Sequence, residues 1–249
     1  MFSLYGVSVL LTIACVVHCI RTRQVATWIW ILMVLTMFPL IGPIVYFCAI
    51  VLPDMMGTRS GRKAVRGLRD TFNPEGDLRR LENDVKVSGD VQSRQRYADE
   101  LVRLGRTAEA VDVYKTCLTG FFADDPKLLL GYARAQFAAG DAPGARQTLD
   151  ELIRKNPDFK SAEGHLLYAR ALESEGDLEK ALSEYATLAG YFPGAEAAVR
   201  YAKLLKRQGQ AGPAKMVLEG LLDRAKYAPP HYKRAQREWL DEAETELKG

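Results

Sequence analysis

The histidines and cysteines of this chain are few and poorly placed for catalysis. Among 249 residues there are three histidines and four cysteines. Cys15, His18 and Cys19 fall within one turn of a predicted helix, a spacing that a metal or a haem could use, but a cysteine in an apolar helix packs as a small hydrophobe. The sequence has no Cys-x-x-Cys pair, no Gly-rich phosphate loop, no Gly-x-Ser-x-Gly and no His-Glu-x-x-His. We therefore expect no catalytic residue, no cofactor, no metal and no small-molecule substrate.

A fourfold repeat between about residues 90 and 224 organises the rest of the chain. The dipeptide Tyr-Ala occurs four times, as Tyr97-Ala98, Tyr132-Ala133, Tyr168-Ala169 and Tyr201-Ala202. A glycine follows seven residues after each of these alanines, at Gly105, Gly140, Gly176 and Gly209. Another alanine follows five residues after each glycine, at Ala110, Ala145, Ala181 and Ala214. The glycines are 35, 36 and 33 residues apart, which is the period of a two-helix solenoid unit.

Each residue type in the repeat suits a pair of closely packed antiparallel helices. A side chain larger than methyl at the eight alanines would push the helix axes apart, and a glycine in the turn can take positive φ without a Cβ penalty. We expect the space between units to be filled by the residues nine positions past each glycine, which are Tyr114, Leu149, Tyr185 and Leu218. Pro157 and Pro193 should end the second helices of the second and third units. The first unit has Phe122 at that place, which predicts a longer exit loop at 119–125.

This pattern resembles the tetratricopeptide repeat family. The resemblance covers the four units and implies an all-α fold, an α-solenoid of about four helix pairs that binds extended peptides or helices along the surface of its first helices. In that family the residue after each Tyr-Ala pair faces the groove, and here those residues are Asp99, Arg134, Arg170 and Lys203. Neighbouring turns add Arg103, Phe137, Lys206 and Arg207 to the predicted partner-binding groove. Its cations would suit an acidic or extended segment or a C-terminal carboxylate, although an ordinary solvated helix face is the alternative interpretation.

The predicted solenoid occupies residues 77–249. We expect an N-terminal cap at 77–88, repeats at about 91–125, 126–160, 161–194 and 195–228, and one C-terminal cap helix at 231–248. The face of that last helix that should cover the fourth unit carries Ala235, Trp239, Leu240 and Ala243. A solenoid needs such caps because its terminal units would otherwise expose an apolar surface to water.

The N-terminal part of the chain is typical of a membrane hairpin. Residues 2–20 form an uncharged run, which at 1.5 Å per residue can cross about 30 Å of hydrocarbon. Residues 25–52 form a second uncharged run, and the four polar residues between the two leave room only for a tight turn. We therefore expect two transmembrane helices in a hairpin at 1–56, followed by a basic juxtamembrane linker at 57–76.

The flanking charges predict the orientation of this hairpin. Its turn holds Arg21 and Arg23, whereas the linker holds five cations, which are Arg59, Arg62, Lys63, Arg66 and Arg69. Because positive flanks stay inside, we expect a multi-pass protein of the bacterial inner membrane whose solenoid faces the cytoplasm. The five cations should lie near anionic lipid headgroups, and a purely topogenic role is the alternative.

The second apolar run resembles the N-terminal membrane hairpin of bacterial cardiolipin synthases and related phospholipase D-type proteins. The resemblance covers about 30 residues and rests on Trp28, Pro39-Leu40-Ile41-Gly42-Pro43 and Tyr46. The phospholipase D reaction uses two His-x-Lys-x4-Asp motifs, with one histidine as nucleophile and the other as general acid. Here His231-Tyr232-Lys233 begins one such motif, but Glu238 stands where the aspartate is due and the second copy is missing. We therefore expect the hairpin of that family without its chemistry.

The charge composition of the predicted solenoid indicates which class of partner it binds. The net charge is +3, but residues 77–249 hold 27 cations and 28 carboxylates, which disfavours a nucleic-acid partner. The sequence thus predicts a non-catalytic membrane-anchored adaptor that binds protein partners, with membrane lipids around its hairpin. The alternative is a regulatory subunit that acts through the hairpin on a phospholipid-synthesis or envelope complex.

Overall fold

The computed structural model describes residues 75–248, and the regular structure within this range is helical. Its α-helices are α1 (Gly76–Ser88), α2 (Val91–Arg103), α3 (Thr107–Cys117), α4 (Pro126–Ala138), α5 (Ala142–Lys155), α6 (Ala162–Glu175), α7 (Leu178–Tyr191), α8 (Glu196–Arg207), α9 (Ala211–Lys226), α10 (Pro230–Ala235) and α11 (Arg237–Lys248). A short 3-10 turn, Gly120–Phe122, lies between α3 and α4. The predicted all-α solenoid is therefore confirmed for this part of the chain.

Side-chain caps determine where five of these helices begin. The first backbone N–H groups of a helix have no partner within the helix, so a short polar side chain just before it is stabilising. Asp90, for example, accepts a hydrogen bond from the Ser93 amide at 2.6 Å before α2. The same role falls to Asp125 before α4, Asp141 before α5, Ser161 before α6 and Asp177 before α7. Pro126 adds a preset φ at the first position of α4.

Four helix pairs stack in sequence order to form the solenoid. The units are α2/α3, α4/α5, α6/α7 and α8/α9, and each second helix also packs against the first helix of the next unit. All eight predicted contact alanines, which are Ala98, Ala110, Ala133, Ala145, Ala169, Ala181, Ala202 and Ala214, are fully buried. Their complete burial is what close packing of the two helices of a unit requires.

The turns within the units have the predicted backbone conformation. Gly105, Gly140, Gly176 and Gly209 have φ of +78°, +88°, +86° and +77°. The residues expected to fill the space between units, Tyr114, Leu149, Tyr185 and Leu218, are all buried. The helices α5 and α7 end at Lys155 and Tyr191, two residues before Pro157 and Pro193.

The connection from the first unit to the second is the long one that the missing proline predicted. Helix α3 ends at Cys117 and α4 begins at Pro126, with the 3-10 turn between them. Asp124 anchors this loop to the second unit, since its carboxylate accepts from Lys155 Nζ at 3.0 Å and its carbonyl from Asn156 at 2.9 Å. Phe121 projects from the loop into solvent.

Capping helices lie at both ends, but the C-terminal one differs from the prediction. At the N-terminal end, Leu78 of α1 is buried in the same core as Leu101. At the other end, the predicted single helix at 231–248 is wrong, because the chain forms α10 and α11 with Gln236 between them. The Gln236 side chain accepts a hydrogen bond from the Ala195 amide at 2.9 Å, which ties the break to the start of α8.

The covering face of the cap is correspondingly shorter than predicted. Ala243 of α11 is fully buried in the core of the fourth unit, and Trp239 and Leu240 pack against the same core. Ala235 was expected on this face but is exposed, because it ends α10 before the break. Helix α11 thus contacts α8 and α9 in the position that the first helix of a further unit would take.

The predicted membrane hairpin, the basic linker and the headgroup-binding cations Arg59, Arg62, Lys63, Arg66 and Arg69 lie outside the described residues. Between residues 75 and 248, no helix is both long and apolar enough to cross a bilayer.

Candidate partner-binding surface

The four residues that follow the Tyr-Ala pairs occupy equivalent places on consecutive first helices. Asp99 lies on α2, Arg134 on α4, Arg170 on α6 and Lys203 on α8. Because the preceding alanine of each is buried against the second helix, each of these side chains starts on the outer side of its helix. We call the surface formed by these four helices the first-helix face.

At the start of this face, one arginine bridges three units. Arg134 lies 3.9 Å from Asp99 of the first unit and 3.9 Å from Glu163 of the third. The Asp99 carboxylate also accepts a hydrogen bond from the buried Tyr114 hydroxyl at 2.7 Å. Asp99 is therefore held by the core beneath it, and it in turn positions Arg134.

Further along, Arg170 is fixed from two sides. Its guanidinium carbon lies 4.9 Å from the centre of the Phe137 ring on the preceding first helix, a cation–π distance. Its Nη1 atom lies 3.7 Å from Glu196 on the following first helix. The arginine thus spans α4, α6 and α8 with its planar group stacked on an aromatic ring.

A second arginine, which sequence reasoning missed, joins the third and fourth units. Arg200 donates to Glu196 at 2.8 Å and lies 3.9 Å from Glu173 of α6, while its guanidinium carbon is 5.2 Å from the Trp239 ring centre. Glu173 also lies 3.4 Å from Arg207 and accepts from the Tyr185 hydroxyl at 2.8 Å. The spacing of Glu196 and Arg200, four residues apart in one helix, was the available sequence signal for this pair.

The last cations of the predicted groove are occupied by the C-terminal cap. Lys203 donates to Glu242 of α11 at 2.7 Å. Lys206 donates both to the backbone carbonyl of Glu246 and, at 3.1 Å, to its carboxylate. An acidic helix of the same chain therefore lies against this end of the first-helix face.

The structure thus places the predicted groove residues on one face, but each cation already has a carboxylate partner among the described residues. Arg103 completes this set, since it donates to Glu100 of its own helix at 2.9 Å. The partners that sequence reasoning missed are Glu100, Glu163, Glu173, Glu196, Glu242 and Glu246. The surface is an alternating charge network rather than a stripe of uncompensated positive charge.

Buried tyrosine hydroxyls support this network from the core. Burial, followed by the hydrogen bond to Asp99, raises the pKa of Tyr114 far above its ordinary value. Burial and the hydrogen bond to Glu173 do the same for the pKa of Tyr185. Both hydroxyls therefore remain protonated donors, and each orients one carboxylate of the face.

A separate cleft lies between the second and third units. It has a volume of about 640 Å³, with Leu149, Leu152 and Phe159 among its lining residues and His165 at its wall. His165 Nδ1 lies 2.6 Å from the Tyr191 hydroxyl, and its Nε2 lies 2.6 Å from Glu184. Both ring nitrogens are thereby engaged by the third unit itself.

The remaining titratable residues form no metal-binding group in this part of the chain. Between residues 75 and 248, no cluster of three or more His, Cys, Asp or Glu side chains could hold a metal ion. His231 is exposed at the start of α10, and Glu238 lies beyond the helix break, on α11. The motif that His231 begins is therefore split between two helices.

Comparisons with known proteins agree with both resemblances seen in the sequence. Residues 101–171 match the tetratricopeptide repeat model, and residues 10–49 match the phospholipase D-nuclease N-terminal model, whose presence points to membrane association. None of the curated proteins matches the chain.

Solved structures share the fold of the described part. MamA (residue 41 to the end) from Desulfovibrio magneticus RS-1 has a TM-score of 0.55 at 16% identity, and the match covers 67% of this chain and 95% of that one. The thermophilic TPR protein TTC0263 from Thermus thermophilus has a TM-score of 0.56 at 18% identity, over 76% of this chain and 97% of that one. At these identities the likeness establishes the fold alone. The chain therefore carries a tetratricopeptide-repeat solenoid together with an N-terminal segment of the phospholipase D-nuclease N-terminal type.

Proposed function

We propose that this protein is a non-catalytic, membrane-anchored scaffold that binds protein partners through the first-helix face of its solenoid. Tetratricopeptide repeats are protein-interaction modules, and residues 101–171 match such a repeat model. In this proposal the segments 2–20 and 25–52 span the inner membrane of a bacterium as a hairpin. The linker at 57–76 then carries the solenoid on the cytoplasmic side.

The proposal rests on the long ion pairs and the exposure of Arg134 and on the stacking of Arg170 against Phe137. Both of the Arg134 ion pairs are long, at 3.9 Å, and its side chain remains 48% exposed. Exposed ion pairs contribute little to stability, about 0–1 kcal/mol, so a partner carboxylate with shorter, bidentate geometry can replace them. Arg170 is held in place by Phe137, so it presents an ordered donor group to the same partner.

The partner that fits this face is an extended or helical segment that carries carboxylates. Asp99 and Glu163 lie beside Arg134, so a purely acidic stretch would meet repulsion as well as attraction. A segment with acidic groups spaced to reach Arg134 and Arg170, and with neutral or basic residues between them, matches the alternation of the face. Negative charge at the wrong spacing would be rejected, which gives specificity.

The test is charge reversal on the face with a matched control elsewhere. A photoreactive residue at position 137 would crosslink partners in native membranes, in the parent chain and in an Arg134→Glu/Arg170→Glu variant. We expect the crosslinked products of the parent to be lost in the variant. They should persist in Lys180→Glu/Lys215→Glu, which makes the same charge change on exposed second-helix residues. Unchanged products in the first variant, with helix content intact by circular dichroism, would refute the proposal.

A second candidate function is supported by the match over residues 10–49. The hairpin itself could contact a membrane enzyme or complex of phospholipid synthesis or envelope assembly, with the chain acting as a regulatory subunit. Exchange of residues 1–56 for an unrelated membrane hairpin separates the two functions. A scaffold should tolerate the exchange, whereas a regulator that works through its hairpin should lose its effect.

A further inference from the structure

Most exposed large apolar side chains of the solenoid lie along one edge. Seven large apolar side chains are exposed within the described residues, and five of them are found where a second helix ends. These five are Phe121, Phe122, Ile153, Tyr191 and Tyr227. Phe121 is 105% exposed and Tyr227 is 91% exposed. Because equivalent second helices in a solenoid run side by side, their C-terminal ends share an edge, which we call the exit edge (residues 115–125, 153–161, 189–195 and 224–237).

Positive charge is concentrated along the same edge. The exit edge holds nine cations, which are Lys115, Arg154, Lys155, Lys160, Arg224, Lys226, Lys233, Arg234 and Arg237. It holds three carboxylates, which are Asp124, Asp125 and Asp158. Carboxylates just outside these ranges also pair with four of the cations, which are Lys115, Arg154, Lys226 and Arg237. Asp124 is engaged by Lys155, and Asp125 caps α4. Since residues 77–249 together hold 27 cations and 28 carboxylates, the rest of the solenoid carries the excess of negative charge.

The corner between α9 and α10 is the most basic part of the exit edge. Residues 224–237 contain five cations and no carboxylate. Two of its cations have carboxylate partners, since Lys226 pairs with Asp223 at 2.7 Å and Arg237 with Asp241 at 3.5 Å. No ion pair joins Arg224 or Arg234 to a carboxylate of the described solenoid, although carboxylates of α9 and α11 line the cleft beside Arg234. Lys233 Nζ donates to the Lys226 carbonyl at 2.7 Å, which holds the two sides of the corner together. The exposed Tyr227 ring lies within this basic corner.

The stability of the helix ends explains the cations of the exit edge but not its exposed aromatic side chains. Cations in the last turn of a helix complement its dipole, and Lys115, Arg154, Lys155, Arg224 and Lys226 occupy such turns. The helix dipole does not explain why aromatic side chains are exposed to solvent at the same places. Aromatic rings alternating with long cationic side chains are instead the composition of a protein surface at a lipid–water interface.

We propose that the exit edge docks on an anionic lipid surface, with the basic corner binding headgroup phosphates and Phe121 and Tyr227 entering the interfacial zone. Clustered basic residues bind anionic headgroups additively, and rings of this kind partition to the interface. The inference goes beyond the proposed function, which concerns a different face and a protein partner. A hairpin at 1–56 would strengthen the docking by keeping the edge at high local concentration near headgroups.

The test uses hydrogen–deuterium exchange on the full chain in two kinds of nanodisc. One kind contains phosphatidylcholine alone, and the other contains equal parts of phosphatidylcholine and phosphatidylglycerol. We expect amides at 118–125 and 226–236 to exchange about tenfold more slowly in the anionic discs. The turns around Gly140 and Gly176, on the opposite edge, should exchange equally in both. Raised salt should remove the difference, because the attraction is electrostatic.

Two triple variants with equal charge change make the test specific. Arg224→Glu/Tyr227→Ala/Arg234→Glu should abolish the lipid-dependent protection. Lys180→Glu/Lys215→Glu/Met216→Ala should retain it, because it removes two cations and one exposed apolar side chain away from the edge. Equal exchange of the parent in both discs would overturn the proposal. Protection that follows only from adding polyglutamate would also overturn it, in favour of an acidic protein partner.

The experiments distinguish a hairpin that does not insert into the membrane from an exit edge that does not bind lipid. Comigration of the full chain with neutral discs measures insertion and does not depend on the exit edge. If the chain does not insert, the same exchange experiment with added vesicles of the two compositions decides the proposal about the edge.

Discussion

The hydroxyl of Tyr114 occupies the space that a side chain at residue 131 would need. A Cβ atom built on Gly131 would clash with the Tyr114 hydroxyl oxygen and would lie 2.6 Å from the Tyr114 Cζ atom. The ring is fully buried, and its hydroxyl donates to Asp99 at 2.7 Å, so it is not free to move aside. In the next unit, Leu149 and Leu167 share one core at the equivalent positions. The large spacer Tyr114 is thus matched with a glycine on the following first helix, whereas the smaller Leu149 is matched with a leucine.

Gly131→Ala should therefore destabilise the solenoid even though alanine favours a helix. Overpacking of this kind costs about 1–3 kcal/mol, against about 1 kcal/mol gained in helix propensity. We expect a lower midpoint in urea unfolding followed by circular dichroism. Tyr114→Leu in the same chain should restore much of the loss, because it gives the first unit the spacer of the second.

Two controls make this prediction specific. Tyr114→Phe should rescue Gly131→Ala less than Tyr114→Leu does, since the ring atoms that lie 2.6 and 2.7 Å from the new Cβ remain. Gly190→Ala, at a helical position with open space around it, should leave stability unchanged or raise it. If Gly131→Ala were as stable as Gly190→Ala, the close contact of Tyr114 and Gly131 would be wrong.

The two buried tyrosines predict a loss of stability at high pH. Burial raises the pKa of Tyr114 and Tyr185 above the ordinary value of 10.0. The unfolded chain therefore releases these protons first, so their contribution is complete below about pH 10 and decreases as the pH rises further. The free energy of unfolding should fall by up to about 1.4 kcal/mol per pH unit for each tyrosine.

This pH dependence is measurable by urea unfolding at pH 8 and pH 11. Tyr114→Phe/Tyr185→Phe should show a clearly shallower decrease than the parent. Tyr227→Phe removes an exposed hydroxyl, so the free energy of unfolding of this variant should decrease with pH as steeply as that of the parent. Equal slopes for all three chains would contradict the assignment.

Cys117 should resist thiol reagents in the folded protein. Its side chain is fully buried at the end of α3, and burial raises the pKa of the thiol, so little thiolate is present near neutral pH. In a chain in which Cys15, Cys19 and Cys48 are replaced by serine, we expect maleimide labelling to be at least about tenfold slower under native conditions than in denaturant. Rapid native labelling would mean that α3 opens readily.

The acidic face of α11 should hold this helix on the fourth unit. Glu242→Lys/Glu246→Lys would place cations against Lys203 and Lys206, so we expect a loss of about 1–2 kcal/mol and faster hydrogen exchange in residues 237–248. The matched control Glu238→Lys/Glu244→Lys makes the same charge change at exposed positions of α11. The pairing of α11 with α8 would be disproved if both variants behaved alike.

The repeat architecture follows from local sequence patterns. Helix periodicity, an alanine where two helices touch and a glycine where the backbone needs positive φ are local requirements, and they recur every 33 to 36 residues. The alanines Ala98 and Ala110 are buried as expected, because in a solenoid each unit contacts only its neighbours. The long loop before Pro126 follows from the same local logic.

The partner-facing chemistry depends on contacts between residues far apart in sequence, which local patterns do not encode. The cations Arg134, Lys203 and Lys206 were predictable as members of one face. Their carboxylate partners Glu163, Glu242 and Glu246 come from another unit or from the cap, at separations of 29 to 40 residues. Sequence reasoning also missed the break at Gln236, because the hydrogen bond that explains it reaches back to Ala195. Local sequence determined the helices and their stacking. Only tertiary packing decided which charges neutralise each other and which, such as Arg224 and Arg234 in the described solenoid, do not.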